Sequence, residues 1–347
     1  MAWDPQTFET GVIRRILKKL MKITCITTVF NDGEALFNSV NSILNQTHQD
    51  FQYIIVDDGS DKETIALIDG IDDPRVLVLH QANDGLSGAR NKALEQVKGD
   101  YVCFLDADDT RPGWFFQNAL DIIEAEAPDV IFCRGILSEV RGDLLDFYDS
   151  GKFREILGLL DGAISVESGA PEFEKTLALA QLIEPQSANK VVRTALLRDN
   201  FIGFPNTHFF EDIYFHTRLL SAAQKLAFLE TPSFTYFRRY QRPQITSATS
   251  DLRFDIIPVT KLTMEMFATT DRFHDPVHRA AVTYACFKII QWCETSVSHH
   301  LRYAFRQSLR GLVMLIDPLM FHFPAEMPPG MEDVATIRNY IETIRNG

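Results

Sequence analysis

Tyr101-Val102-Cys103-Phe104-Leu105 runs straight into Asp106-Ala107-Asp108-Asp109. The five apolar residues read as a buried strand. The acids at its end repel one another unless a cation or a helix N-terminus lies beside them. On an extended segment residues two apart point the same way, so Asp106 and Asp108 can share one hard cation. Oxygen ligands of this kind suit Mg²⁺ or Mn²⁺, with phosphate oxygens completing the shell.

The same beat recurs from 22 to 133. Apolar runs at Ile23–Val29, Phe51–Val56, Val76–Leu79, Tyr101–Leu105 and Val130–Cys133 alternate with segments of helical spacing such as Ala35, Leu36, Val40, Ile43 and Leu44. Turn signals, including Asp57-Asp58-Gly59-Ser60 and Lys98-Gly99-Asp100, separate them. This is βαβ order and predicts an α/β fold with a largely parallel sheet between helices. Ligands of such folds bind outside the carboxyl ends of the strands, where Asn31, Asp57, Asp58, Asp106 and Asp108 all fall. Residues 134–185 are less regular, with helical patches at Ile156–Leu160 and Phe173–Leu182, and 251–347 read as helices.

The 347 residues suit one large domain with an appendage, and 26 Phe supply ample core. Acids exceed bases by 13, which disfavours nucleic acid but not a nucleotide held through a metal. The five cysteines show no paired metal spacing, and Cys25, Cys103 and Cys133 sit in apolar runs, as in a cytoplasmic protein. No window of 18 uninterrupted apolar residues and no signal-peptide layout is evident.

Each motif has a plain reading beside a chemical one. Asp57-Asp58-Gly59-Ser60-Asp61 is a tight turn with a helix cap, or a strand end from which Asp58 accepts a nucleobase imide N–H. Asn83–Asn91 is a capped loop, or a loop from which Arg90 reaches a diphosphate; it lacks G-x-G-x-x-G spacing. Glu211-Asp212 opens a helix pattern and suits the macrodipole there. Arg238-Arg239 followed by Gln244–Ser247 is surface charge or a phosphate contact. Asp106–Thr110 also spells the D-x-D-x-T of haloacid-dehalogenase-type phosphatases. In that family the motif is on the first strand with the acidic pair downstream, whereas here Asp57-Asp58 lies upstream.

Taken together the chain resembles the family-2 glycosyltransferases, inverting enzymes of the GT-A fold. The motifs are Thr28-Val29-Phe30-Asn31, Ser42–Thr47, Val56–Ser60, Gly85–Asn91, Phe104–Asp109, Asn189-Lys190-Val191-Val192-Arg193 and Phe209–Asp212, with a looser match over Tyr236–Thr246. The resemblance covers about 22 to 250. It implies a GT-A domain at 21–250, with a donor nucleotide half (21–133) and an acceptor and catalytic half (134–250), and then a C-terminal helical region (251–347).

What the resemblance implies chemically is transfer of one sugar, with inversion, from a nucleotide diphosphate sugar to a hydroxyl of a glycan or lipid-linked glycan. UDP is the expected nucleotide and bacterial surface polysaccharide synthesis the expected setting. Thr28, Phe30 and Asp58, with Asn31 beside them, match the nucleobase side. Asp106 matches the acid near the ribose and metal, and Asp108 the direct ligand of Mn²⁺ or Mg²⁺. Asp212, with Glu211 as neighbour, matches the catalytic base. Without Q-x-x-R-W a processive synthase is disfavoured. The rival is a non-catalytic nucleotide-sugar-binding or scaffold protein of the same fold. Residues 1–20 carry Phe8, Val12, Ile13, Ile16, Leu17 and Leu20 on one side of a helix flanked by Arg14, Arg15, Lys18 and Lys19. That pattern predicts an amphipathic helix that either packs on the protein or touches the inner face of a membrane.

Overall fold

The computed structural model describes residues 23–139, 142–238 and 249–346. The amphipathic segment 1–20 lies outside these, as do Arg239 and Gln244–Ser247. β1 (Ile23–Val29) lies between β2 (Phe51–Asp57) and β4 (Tyr101–Phe104), with β3 (Val76–His80) outside β2, and all four are parallel. Helices α1 (Ala35–Leu44), α2 (Lys62–Asp69) and α3 (Gly85–Leu94) make the crossovers between these strands, and α4 (Phe115–Glu126) connects β4 to the rest of the sheet. β1, β2 and β4 are nearly wholly buried, so they read as unbroken apolar runs rather than alternating ones. α1 turns Leu36, Val40 and Ile43 inward at helical spacing. α2 begins at Asp61, whose carboxylate accepts from Thr64 N at 2.8 Å.

The sheet continues through β5 (Val130–Ser138), β6 (Leu144–Asp146), β7 (Ser165–Glu167), β8 (Lys190–Arg193) and β9 (Lys225–Phe237) in the order β3-β2-β1-β4-β8-β5-β9-β7, with β6 on β5. β8 is antiparallel to both β4 and β5, while β9 is parallel to β5, so β1–β5 and β9 all run one way. The mostly parallel α/β sheet read from the sequence is the one observed. Beside the irregularity between Cys133 and Gly135, the Phe234 ring lies over Gly135, where any Cβ would stand 2.3 Å from it. Only glycine fits there.

Register sets the site. Asp58 N donates to Val29 O at 2.9 Å and Leu105 N to Ile26 O at 2.9 Å, so three strand ends meet on one edge. One face of the sheet packs on α1 and α4. The other packs on α3, α5 (Ser150–Leu159), α6 (Phe173–Ala180), α7 (Thr194–Asp199) and α8 (Glu211–Ala222).

The C-terminal region forms α9 (Ile256–Phe267), α10 (Pro276–Ser296), α11 (Arg302–Leu315) and α12 (Val334–Asn346). Ile213 of α8 is buried with Ile256, Phe267 and Ile290, while Ala280, Ala281, Met331 and Val334 enter the sheet's own core. Lys288 Nζ also donates to Glu184 Oε1 at 2.6 Å. No described helix is long and apolar enough to cross a membrane. Each fully buried aliphatic or aromatic side chain contributes about 1.5–3 kcal/mol. Uncovering several exceeds a net stability of about 5–15 kcal/mol. A chain ending at Ser250 is therefore expected to aggregate, and a monodisperse truncated protein with native circular dichroism would contradict this packing.

Candidate active site

Arg90 enters the site from α3, three per cent exposed, and its guanidinium meets three carboxylates. Nη2 donates to Asp106 Oδ1 at 3.1 Å; Nη1 donates to Glu211 Oε1 at 2.6 Å and to Asp212 Oδ1 at 2.9 Å. The Phe204 ring lies 5.0 Å from the guanidinium carbon, and Phe104 lies 5.9 Å away. The sequence suggests a diphosphate as the partner of Arg90; among the described residues its partners are acids.

Asp106 follows β4 and takes a sharp turn in which Asp109 N donates to Asp106 O at 3.1 Å. Ser39 Oγ also donates to Asp106 O, at 3.2 Å, tying α1 to the turn. Arg111 braces it from below, donating to Phe104 O at 2.8 Å, Ala188 O at 2.6 Å and Ser233 O at 3.0 Å. Its guanidinium carbon stands 3.9 Å over Phe115. Desolvation raises the Asp106 carboxyl to about 6; Arg90 opposes the rise, and Asp212 and Asp108 add to it.

Glu211 and Asp212 begin α8 directly after Phe210, which adopts φ 63°. That left-handed residue turns the chain sharply into the helix, and the first turn favours acids. Glu211 is buried, and desolvation with the neighbouring Asp212 charge raises it to about 8. The Asp212 side chain stays 23 % exposed. Ser187 Oγ donates to Asp212 Oδ1.

At the β1 and β2 ends, Asn31 sits at φ 58°, accepts from Asp61 N at 2.7 Å and donates its own N–H to Ser60 Oγ at 3.1 Å. It thus clamps the two loops together. Phe30 beside it is 49 % exposed, and Thr28 is half-buried. Asp58 Oδ1 accepts from Gln81 Nε2 at 2.7 Å and Asp84 N at 2.8 Å; Oδ2 has no partner among the described residues. Gly59, at φ 78°, lets the loop pass Asn83 N, where a Cβ would stand 2.8 Å away. Asp57 instead faces His80, whose Nδ1 is 2.9 Å from Oδ2.

Asp106 and Asp108 supply two hard oxygen donors at one strand end, and Asp106 Oδ2 has no partner among the described residues. Among those residues no group of three acidic, histidine or cysteine side chains can hold a metal alone. The donor set fits a divalent cation whose other positions come from a diphosphate and water. Arg238 lies elsewhere, donating to Glu139 Oε1 at 2.8 Å and to the Tyr148 hydroxyl. Ser187, Gln81, Asp84 and Arg111 are not marked out by the sequence. Of these only Asp84 falls in a quoted motif.

Residues 24–152 match the family described as Glycosyl transferase family 2. An uncharacterized glycosyltransferase of Rickettsia bellii is 36% identical over 120 residues, 34% of this chain and 17% of that protein. The poly(ribitol-phosphate) beta-N-acetylglucosaminyltransferase TarS of Staphylococcus aureus is 27% identical over 235 residues, 66% of this chain and 38% of TarS. The chain thus spans less than two thirds of the length of both relatives. The structure of TarS 1-349 with UDP-GlcNAc superposes with a TM-score of 0.71 over 93% of this chain and 88% of that one, at 19% identity. A mannosyltransferase from Pyrobaculum calidifontis in complex with GDP-Man and Mn²⁺ gives 0.52 at 12% identity, over 93% and 84%. These two likenesses are of fold. Residues 24–152 thus carry a family 2 glycosyltransferase segment, on a GT-A fold that continues well past it.

The raised Glu211 carboxyl has a sign that can be measured. Between the ordinary value of 4.5 and about 8 the unfolded chain releases this proton while the folded one keeps it, so its contribution to stability is lost as pH rises through that window. Glu211→Gln removes the titration. Urea denaturation at pH 5 and pH 8 should show a smaller loss of stability in the variant than in wild type, and equal losses would count against a protonated Glu211.

Proposed function

We propose that this protein is an inverting, metal-dependent glycosyltransferase that moves one sugar from a UDP-sugar to a glycan hydroxyl in surface polysaccharide synthesis. The observation that carries the reading is the meeting of Asp106, from the donor side, and Asp212, from the far side, on one guanidinium. A sugar between a diphosphate at Asp106 and an acceptor at Asp212 has both reacting bonds within reach of the site. Asp58 offers the oxygen that has no partner among the described residues to an imide N–H, as uracil would present, with the exposed Phe30 ring alongside. The TarS complexes with UDP-GlcNAc and UDP support that choice of nucleotide, and TarS, named for a poly(ribitol-phosphate) acceptor, supports a surface glycan.

Asp106 and Asp108 would hold the cation, which when bound supplies Lewis-acid stabilisation of the departing diphosphate. Asp212 accepts the acceptor's hydroxyl proton as that oxygen bonds to the anomeric carbon. The bond to the diphosphate breaks on the opposite face, its electron pair leaving with the nucleotide, which inverts the centre. Glu211, buried against Arg90, keeps that guanidinium in place and does not face the acceptor.

UDP release from a panel of UDP-sugars in Mn²⁺, with water or a glycan hydroxyl as acceptor, tests the reaction. Asp212→Asn should lower kcat by about 10²–10⁴-fold with UDP affinity nearly unchanged, while Glu211→Gln is milder. The greater loss in Glu211→Gln would move the base one residue back. Asp108→Asn should remove most Mn²⁺-dependent UDP affinity in titration calorimetry and nearly abolish turnover. In wild type that affinity should fall below pH about 6 as Asp106 takes up its proton. Full activity in EDTA would defeat the metal reading.

A further inference from the structure

We infer that Ser187, on a turn pinned from beneath by Lys190 and Arg111, is a positioning residue that fixes one oxygen of Asp212 and leaves the other as the sole proton acceptor. The inference rests on the reading of Asp212 as the base. Asp212 Oδ1 accepts twice, from the Ser187 hydroxyl and from Arg90 Nη1 at 2.9 Å. Oδ2 has no partner among the described residues, on a side chain 23 % exposed. A carboxylate held by one oxygen cannot rotate, so its second oxygen has a single direction in which to meet a hydroxyl.

The Ser187 turn is fixed with unusual completeness. Asn189 Nδ2 donates to Glu184 O at 2.8 Å, and the fully buried Lys190 ammonium donates to Pro185 O at 3.1 Å, Gln186 O at 2.7 Å and Asn189 Oδ1 at 2.6 Å. Arg111 takes Ala188 O at 2.6 Å, and Lys190 N closes on Ser187 O. All of the carbonyls from 184 to 188 are therefore held by the turn's own neighbours or by buried cations. Lysine is almost never fully buried, and every acceptor of this one is uncharged. Burial lowers its ammonium to about 7, with Asp212 and Asp149 opposing. So costly an arrangement is accounted for when the turn it holds must present Ser187 at a fixed place.

The test is UDP release from the fastest UDP-sugar of the panel in Mn²⁺, with water as acceptor. Ser187→Ala, which removes only the hydroxyl, should lower kcat roughly tenfold and leave UDP affinity unchanged. Arg90, Glu211 and Asp106 face the same carboxylate, with Lys190 behind the turn, and none of them is altered by this change. Lys190→Met should lower kcat by a similar factor, and the double variant by no more than either single one, since both act through one hydrogen bond. If Ser187→Ala keeps the wild-type kcat while Asp212→Asn abolishes turnover, the positioning role is wrong and the base stands. If Asp212→Asn itself retains turnover, the base reading fails first. Multiplying losses in the double variant would separate Lys190 from Ser187 and overturn the pinned turn.

Discussion

A single buried guanidinium binds the two halves of the site together. Arg90 is carried by the helix after β3, yet its acids come from the end of β4 and from the start of α8, more than a hundred residues later. A buried arginine left unpaired is strongly unfavourable, so the fold is stable only when Asp106 and the Glu211-Asp212 pair arrive together. Asn91, the next residue, donates to Phe204 O at 2.9 Å and accepts from Phe204 N at 2.9 Å, which sets the ring that lies beside Arg90. The sheet and the carboxylate cluster thus stabilise one another.

The first half of the chain was legible because its strands are buried on both faces. Ile23–Val29 and its parallel neighbours carry their apolar side chains without interruption, and their carboxyl ends mark the ligand edge whatever the ligand is. β8 was not legible in the same way. Lys190–Arg193 is four residues long and begins and ends with a cation, which reads as surface. It enters antiparallel between β4 and β5 because the turn before it is anchored by Lys190 and Arg111, a decision taken by tertiary contacts. β9 carries Pro232 in its length and crosses the irregularity at Gly135, which no period-two pattern follows.

Within the site, Asp58, Asp106 and Asp108 could be found by position and Asp212 through the family resemblance, but what holds them could not. Asp106, Asp108, Asp58 and Asp212 stand at strand ends or at a helix start, places that a sequence marks. Arg111 and Lys190 instead bind backbone carbonyls, a group that every residue carries. Arg111 reaches Ala188 and Ser233, 77 and 122 residues away, and nothing in the identity of those residues announces it. The same limit applied to Arg90: a basic residue after a glycine-containing loop suggests a phosphate, and only the folded chain brings three acids to it.

Charge within the cluster then constrains the chemistry. One guanidinium faces three carboxylates, with Asp108 adding a fourth acid close enough to raise Asp106. Burial shifts part of this excess onto a proton, since Glu211 is pushed to about 8 and holds its hydrogen at neutral pH. Protonating Glu211 spares Arg90 for Asp106 and Asp212. Asp106 and Asp108 still leave a surplus of negative charge where a nucleotide diphosphate would add more. A divalent cation between them would turn that mutual repulsion into attraction for both the acids and the diphosphate, which is the physical ground for expecting donor and metal to bind together rather than in turn.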